Sequence, residues 1–326
     1  MNSNFLSHQN LEKAVHHIMQ NMWDDGMIKT YSSYGDENVP EHDDLITFTT
    51  GLVGLIFSEI TLGNKLLDSL VDKMYRFITS ELIGQKFWMW SSLQSSLRKV
   101  IPIDIDTCSL NSEFLLSRGI KIENHKTLAL NANPQTSKGF YTWLILRRSN
   151  LKMSISDLKL VFRHGFYQRW FFKNTSAFAS ECNDITSVNL FHYLMLNDIS
   201  YLNKAEEFLE QFSSVNSMVD QYYLDEYYKA FFVSRVLRHS KNHELRNRFT
   251  PKPESVKQTR DLDLASLILT YKYYELKVPT AWLNELAGRQ QKNGGWQEMD
   301  TFTYGGKAVW RSPGLNTAFA VAALMN

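Results

Sequence analysis

The feature that most constrains this chain is a recurring way of entering an apolar segment. Asp44 precedes Leu45-Ile46-Thr47-Phe48-Thr49, and Asp106 precedes Thr107-Cys108-Ser109-Leu110-Asn111. Asp184 precedes Ile185-Thr186-Ser187-Val188-Asn189, and Asp261 with Asp263 leads into Leu264-Ala265-Ser266-Leu267. Each places a carboxylate at the mouth of an apolar helix that keeps small residues on one side. Helix capping is the expected role for most of them, because a carboxylate accepts the free first-turn N–H groups and faces the positive end of the helix dipole. Apolar residues at helical spacing predict helices over 11–22, 45–60, 66–82, 106–116, 187–196, 205–212, 222–237, 262–274, 280–290 and 315–325, with little of the strict alternation of a half-buried strand. Irregularly repeated helix pairs stack as hairpins or close into a ring, and small residues on one side let helices line a central space. The stretch from 119 to about 172, which holds Asn131-Ala132-Asn133-Pro134, reads as an excursion between repeats. Aromatic residues continue through it, so residues 1–326 are expected to form one all-α domain.

Composition narrows the function. The chain carries 35 Lys and Arg against 34 Asp and Glu, which excludes a strongly basic nucleic-acid binder and a disordered tail. No basic segment followed by an apolar core opens the sequence, and the most apolar run, 52–57, is far short of the roughly 20 residues needed to span a bilayer. Cys108 and Cys182 give no disulfide framework and fit a reducing cytoplasm. Peripheral membrane contact stays open, since a lipidic substrate would require it, but no stretch declares it. The 13% aromatic content, with 8 Trp, 15 Tyr and 20 Phe, calls for an aromatic interior.

Two motifs carry the chemistry. The first is Gln290-Gln291-Lys292-Asn293-Gly294-Gly295-Trp296, followed by Trp310 and the small-residue segment Leu315-Asn316-Thr317-Ala318-Phe319-Ala320. Its Gln-x-x-x-Gly-x-Trp pattern resembles the repeat of the terpene cyclase and protein prenyltransferase superfamily. In that superfamily Gln caps an outer helix, Gly permits a tight turn, and Trp packs between hairpins of an α/α toroid. Trp23-Asp24-Asp25-Gly26 and Gly139-Phe140-Tyr141-Thr142-Trp143 look like degenerate copies. The second motif is Ile103-Asp104-Ile105-Asp106-Thr107-Cys108. Two carboxylates two residues apart at a helix mouth can share a proton, and low-dielectric surroundings keep one of them protonated near neutral pH.

This segment resembles the Asp-x-Asp-Asp acid motif of class II terpene cyclases such as squalene-hopene cyclase. It is closer still to the Asp-x-Asp-Thr-Thr variant of drimenyl diphosphate synthase-like cyclases. The resemblance implies that Asp106 protonates an alkene or epoxide and that Asp104 orients or polarises it. Thr107 agrees with the variant, and Cys108 replaces its last Thr. Asn183-Asp184 through Val188-Asn189 resembles the group's Asp-x-x-Val-Asn segment, and Tyr222-Tyr223 with Ser234-Arg235 resembles its paired-Tyr and Ser-Arg helix. The resemblance runs from Trp23 to Met325 and implies an α/α toroid that cyclises a linear isoprenoid.

Such a reaction passes through carbocations, which water quenches, so π faces must supply the negative potential in a dry cavity. The pool of candidates is Trp88, Trp90, Tyr141, Trp143, Trp170, Phe172, Phe191, Tyr193, Tyr222, Tyr223 and Trp310, of which most will be core packing. Trp88, Trp90, Trp143, Tyr223 and Trp310 are taken as substrate-facing, Trp88 and Trp90 first because they shortly precede the acid motif. A toroid without a second helical domain suits a C15–C20 prenyl diphosphate or an isoprenoid tail better than squalene. A diphosphate would need Mg²⁺ or cations, with Arg147, Arg148, Arg163, Arg169, Lys173 and Arg235 as candidates, and Arg235 is taken as substrate-binding. Protonation itself requires no cofactor, and the oligomeric state is open.

Three alternatives use the same residues. Asp106 and Cys108 have the Asp-x-Cys spacing of two zinc ligands in prenyltransferase β subunits, with His125, His164 or His192 as a third. A phosphatase-like Asp-x-Asp-x-Thr reading fails because the Thr comes one position early and the strand-rich pattern is missing. A non-catalytic isoprenoid-binding toroid is the third, since a fold does not guarantee activity.

Overall fold

The computed structural model describes residues 5–34, 42–60, 64–95, 100–132, 139–147, 152–165, 171–173, 177–223, 225–252, 260–304 and 308–325. Two kinds of helix alternate along it, and their sequences say why. Helices α1 (His8–Gln20) and α3 (Lys65–Ser80) are amphipathic: α3 buries Leu67, Leu70, Val71, Met74, Phe77 and Ile78, a stripe at helical spacing, and exposes the rest. Helices α2 (Thr47–Ile60) and α4 (Ile105–Ser117) are buried on nearly every side, as their uniformly apolar or small-residue sequences require. The chain continues with the short α5 (His125–Ala129) and the amphipathic α6 (Ile155–Gly165). Three further inner helices follow: α7 (Asp184–Asn197), α9 (Glu226–Leu237) and α11 (Asp261–Tyr273). Among them stand α8 (Tyr201–Leu209), α10 (His243–Arg248) and α12 (Thr280–Gly288), and α13 (Pro313–Leu324) is the last inner helix.

The inner helices contact one another in a closed cycle. Helix α2 packs on α4, α4 on α7, α7 on α9, α9 on α11, α11 on α13, and α13 returns to α2. The amphipathic helices lie against this cycle, α3 on α2, α8 on α7, α12 on α11 and α13, and α1 on α13 and α3. Gly51 and Gly54 let α2 approach α4, where Asn111 and Phe114 fill the space that Cβ atoms would occupy.

The ten expected helices are all present, with ends displaced by a few residues. Sequence reasoning missed the strands. A four-stranded antiparallel sheet has the order β2 (His42–Asp44), β1 (Thr30–Tyr34), β6 (Ala308–Arg311), β5 (Asp300–Tyr304). Its central register pairs Ser32 with Trp310, partners 278 residues apart, so no local pattern announces it. A two-stranded pair joins β3 (Ile103–Asp104) to β4 (Trp143–Leu144).

The capping expectation also needs correction. Side-chain caps come from Ser7, Asn64, Asp104, Asp225, Asn242 and Ser312. The recurrent Asp residues instead bind across to neighbouring segments. Asp44 accepts from Trp310 Nε1 (2.7 Å), Asp184 from the Val219 amide (2.5 Å) and Asp261 from the Gln297 amide (2.9 Å), while Asp263 pairs with Arg260. Being inside the first turn or ahead of it, Asp44, Asp184 and Asp261 reach other segments rather than their own free N–H groups.

The tryptophan repeat has a geometric counterpart. Trp296 Nε1 donates to Leu286 O and Trp88 Nε1 to Ile78 O, both at 2.8 Å. In each case a buried indole ties down the last turn of an amphipathic helix ten residues back. The turn before Trp296 holds Gly294 at φ +91°, where a Cβ would stand 2.2 Å from Lys13 O of α1. Gly26 repeats this at φ +102° against Lys73 O of α3. Gln290 donates from Nε2 to Asn10 O and Gly294 O, both at 2.9 Å, fixing the same turn. Gly294→Ala is expected to destabilise the protein by about 2 kcal/mol or more, since it combines a left-handed backbone with a backbone clash. Gly288→Ala, whose Cβ meets nothing within 4 Å, is the control and should be neutral or slightly stabilising in urea denaturation.

Candidate active site

The acid motif is held at the entrance to α4 from both sides. Asp104 donates its amide to Trp88 O (3.3 Å), Ile105 donates to Thr142 O (3.0 Å), and Asp104 pairs with Trp143 across the β3–β4 ladder. Asp104 is the N-cap of α4: its carboxylate accepts from the amides of Asp106 (3.2 Å) and Thr107 (3.0 Å) and from the Thr107 hydroxyl. Three donors and the helix N-terminus make it the better anion of the pair. Thr107, the residue that departs from the classical third Asp, thus has a defined role.

Asp106 points elsewhere. Its Oδ1 accepts from Asn189 Nδ2 of α7 at 2.8 Å, and its Oδ2 bonds to the Tyr223 hydroxyl at 2.6 Å. Both carboxyls are buried. Burial raises the proton affinity of each well above the usual carboxylate range, and the neighbouring negative charge of Asp106 adds to the effect on Asp104. For Asp106, Tyr223 and Asn189 pull in the opposite direction, whereas the charge of Asp220 reinforces the rise. Contacting only a neutral amide and a phenol, Asp106 is the member suited to hold the proton.

Asp220 was not singled out from sequence, and it sets the positions of both partners. Its Oδ1 accepts the amides of Tyr222 (2.8 Å) and Tyr223 (3.0 Å), the short-range turn that Asp makes with residues two and three ahead. Its Oδ2 accepts the Ile185 amide (3.0 Å) one helical turn before Asn189. One buried carboxylate thereby ties the Tyr223 turn to the start of α7. Burial pushes Asp220 up to about 7.

Aromatic rings surround Tyr223. Phe232 lies 4.9 Å away between centroids, Tyr228 5.6 Å, Phe302 6.0 Å and Phe48 6.3 Å, contributions from α9, β5 and α2. Sequence inspection passed over Phe48, Tyr228, Phe232 and Phe302, because nothing local distinguishes them from core residues. Among the described residues the buried Tyr228 hydroxyl and Asn189 Oδ1 have no hydrogen-bond partner.

The residues taken as substrate-facing divide. Tyr223 touches the acid. Trp143, beside Asp104, donates from Nε1 to Glu181 (3.0 Å) and packs with Phe171 and Phe172 at 5.4 and 6.5 Å. The half-buried Trp90 and Tyr222 join that cluster, and Trp90 meets Trp310 edge-on at 5.1 Å. Trp88 is a correction: its fully buried indole is a helix wedge like Trp296, and proximity in sequence to the motif misled because its side chain points back to α3. Phe191 packs against Phe140 and Phe208, and Tyr193 bonds to Ile122 O and Asn124, so both belong to the core. Tyr141 lies under the Arg147 guanidinium at 3.7 Å.

Arg235 is the second correction. Fully buried on α9, it pairs with Glu113 of α4 and, at 3.5 Å, with Glu59 of α2, while Glu113 also meets His192 of α7 at 2.9 Å. Its charge is spent in an ion network joining four inner helices, and a substrate diphosphate cannot displace those carboxylates without stranding them. Arg147 is likewise bonded to Asn131, Trp143 O and Ala179 O. Arg163 and Lys173 are exposed. Arg148, Arg169, Trp170 and the His164 side chain lie outside the described residues.

The zinc reading does not fit the geometry. Cys108 Sγ accepts the Trp88 amide (3.2 Å) and donates to Trp88 O (3.4 Å), and burial raises its thiol far above the usual range. His192 is two turns away at Glu113. Among the described residues no group of three His, Cys, Asp or Glu side chains could hold a metal ion, so the three-ligand zinc set has no counterpart there.

The sequence matches no protein-family model and no curated protein. Solved structures do match over nearly the whole chain. Type II terpene cyclase MstE from Scytonema, with geranylgeranyl dihydroxybenzoate bound as substrate, superposes with a TM-score of 0.66 at 11% identity, covering 97% of this chain and 95% of that one. The same enzyme without ligand gives 0.66, and a protein from Actinoplanes gives 0.65 over 97% of this chain and 98% of that one, both at 11% identity. The fold is therefore that of a class II terpene cyclase.

Two outcomes test the site. A carboxyl that binds its proton more tightly folded than unfolded stabilises the fold while protonated, and that contribution is lost as pH rises through the raised pKa. Thermal or urea unfolding should show stability falling as pH climbs above about 4, the unperturbed Asp value. Asp106→Asn should flatten this slope and be more stable than wild type at alkaline pH. Arg235→Ala should cost about 3–5 kcal/mol in the same assay, because it leaves Glu113 buried without its partner.

Proposed function

We propose that this chain is a single-domain α/α toroid acting in the cytoplasm as a class II terpene cyclase, with Asp106 as the general acid. The observation that carries the reading is a buried carboxyl held only by neutral donors, next to a second carboxyl that caps the helix through three donors, in a fold shared with MstE. The substrate in this reading is a linear isoprenoid of C15–C20 length, as a prenyl diphosphate or as the tail of a larger molecule. The substrate bound to MstE, a geranylgeranyl dihydroxybenzoate, belongs to the second type.

In this mechanism the distal alkene takes the Asp106 proton. The π pair forms the new C–H bond and leaves a tertiary cation, while Asp106 becomes a carboxylate. Tyr223 and Asn189 donate to that carboxylate and stabilise it as it forms, and Asp104 stays ionised throughout. The next alkene attacks the cation and closes a ring, and the cascade ends with loss of a proton or capture of water. The Phe302 and Phe48 rings, packed beside Tyr223, offer π faces without a nucleophilic lone pair. Redox chemistry plays no part in these steps.

Purified wild type and Asp106→Asn are to be incubated with farnesyl diphosphate, geranylgeranyl diphosphate and a geranylgeranylated dihydroxybenzoate, with and without Mg²⁺. Phosphatase treatment and mass-resolved chromatography follow. A cyclic isomer of unchanged mass, or its hydrate, is expected from wild type, with a loss of about a thousandfold or more in Asp106→Asn. Undiminished turnover by that variant would sink the mechanism, and no product from any substrate favours a binding protein. Tyr223→Phe should retain the fold, slow turnover by about tenfold and move the alkaline limb of the rate profile to higher pH, because the phenol no longer favours the ionised carboxyl.

A further inference from the structure

One of the basic stretches of this chain also exposes large apolar side chains. Between Leu146 and Phe178 stand seven Lys and Arg and one acidic residue, Asp157, whereas the whole chain has 35 against 34. Asp157 does not offset them at the surface, since it is buried and bonded to Lys86 (2.7 Å) and Thr127 (2.6 Å). Those bonds fix the inner face of α6 against α5 and the turn after α3, with Leu160 packed at Gly84.

The outer face of α6 is unusual for a protein surface. Ile155 is 74% exposed and Phe162 63%, and their spacing of seven puts them on one stripe. Exposed Lys159 stands between them and exposed Arg163 beside them. Phe178, at the far end of the same basic stretch, is 62% exposed. Phe171 and Phe172, also within it, pack on Trp143, which pairs with Asp104. A helix face of large apolar groups interleaved with cations is the pattern that lies in a bilayer interface, where the side chains enter the acyl boundary and the cations meet anionic headgroups.

We propose that the outward face of α6, Ile155 and Phe162 with Lys159 and Arg163 beside them, docks this protein on an anionic bilayer, from which a water-insoluble isoprenoid reaches the acid. The purpose of the docking rests on the cyclase reading, but the binding itself does not. Charge complementarity selects the partner, and the exposed Ile155 and Phe162 separate a membrane from a soluble polyanion.

The test is co-sedimentation of the full chain with vesicles of phosphatidylcholine alone and of phosphatidylcholine mixed with phosphatidylglycerol. Binding is expected to the mixed vesicles, to fall with added salt, and to be at least tenfold weaker with phosphatidylcholine alone. Ile155→Ser combined with Phe162→Ser should weaken it by about tenfold or more, and Lys159→Glu by a similar factor on mixed vesicles only. All three sites are exposed, and circular dichroism checks that the variants fold. No binding, equal binding to both vesicle types, or variants that bind like wild type would overturn the proposal. Retention on heparin with no vesicle binding would also overturn it and mark a polyanion face. Cyclisation in detergent micelles, where docking is unnecessary, should be unchanged in these variants. Wild type inactive in micelles but bound to vesicles would count against the cyclase reading alone.

Discussion

Closing the cycle of inner helices is the constraint on which everything else depends. Helix α13 must meet α2, so segments from the two ends of the chain have to be joined. The joining is done by specific bonds: β1 pairs with β6, Trp310 donates to Asp44, Ser312 to Lys29 O at 2.9 Å, and Gln290 to Asn10 O. An open array of hairpins would leave the apolar faces of α2 and α13 in water, and burying a large aliphatic or aromatic side chain is worth about 1.5–3 kcal/mol. Closure also forces the inner helices to be buried all round, which is why their few polar groups must find partners inside.

Those polar groups meet at two levels. At the helix entrances Asp104, Asp106, Asn189, Tyr223 and Asp220 form one connected set. Lower in the same helices Glu113, His192, Arg235 and Glu59 form another. Glu113 lies seven residues after Asp106 on α4, so the two share a face about 10 Å apart along the axis. The contrast is chemical. Glu113 faces a guanidinium, whereas Asp106 faces only neutral donors.

The sequence reading succeeded where the signal was local and failed where it was not. The Gln-x-x-x-Gly-x-Trp stretch and its copy at Gly26 were legible because a left-handed turn and a Trp are local requirements. Asp104 and Asp106 were legible because their spacing alone makes them neighbours. Trp88 was misassigned since closeness in sequence to the acid says nothing of the direction of an indole. Arg235 was misassigned since its partners come from α2 and α4, more than 120 residues away in sequence. Asp220 was invisible for the same reason: its turn is local, but the consequence, setting Tyr223 against Asp106, spans 117 residues.

What the sequence by itself determined is the ten helices in and around the cycle, though not α5, α6 or α10, and the carboxyl pair at the head of α4. These follow from periodicity, turn chemistry and spacing, all of which act within a few residues. Tertiary structure alone decided which carboxyl caps its helix through three donors and which is held by an amide and a phenol from other segments. It likewise decided which aromatics border the acid and which cations are consumed in ion pairs. Each of these depends on what another helix brings into contact, and burial then fixes the energetic consequence, because a charge or proton out of water is governed by its nearest partners.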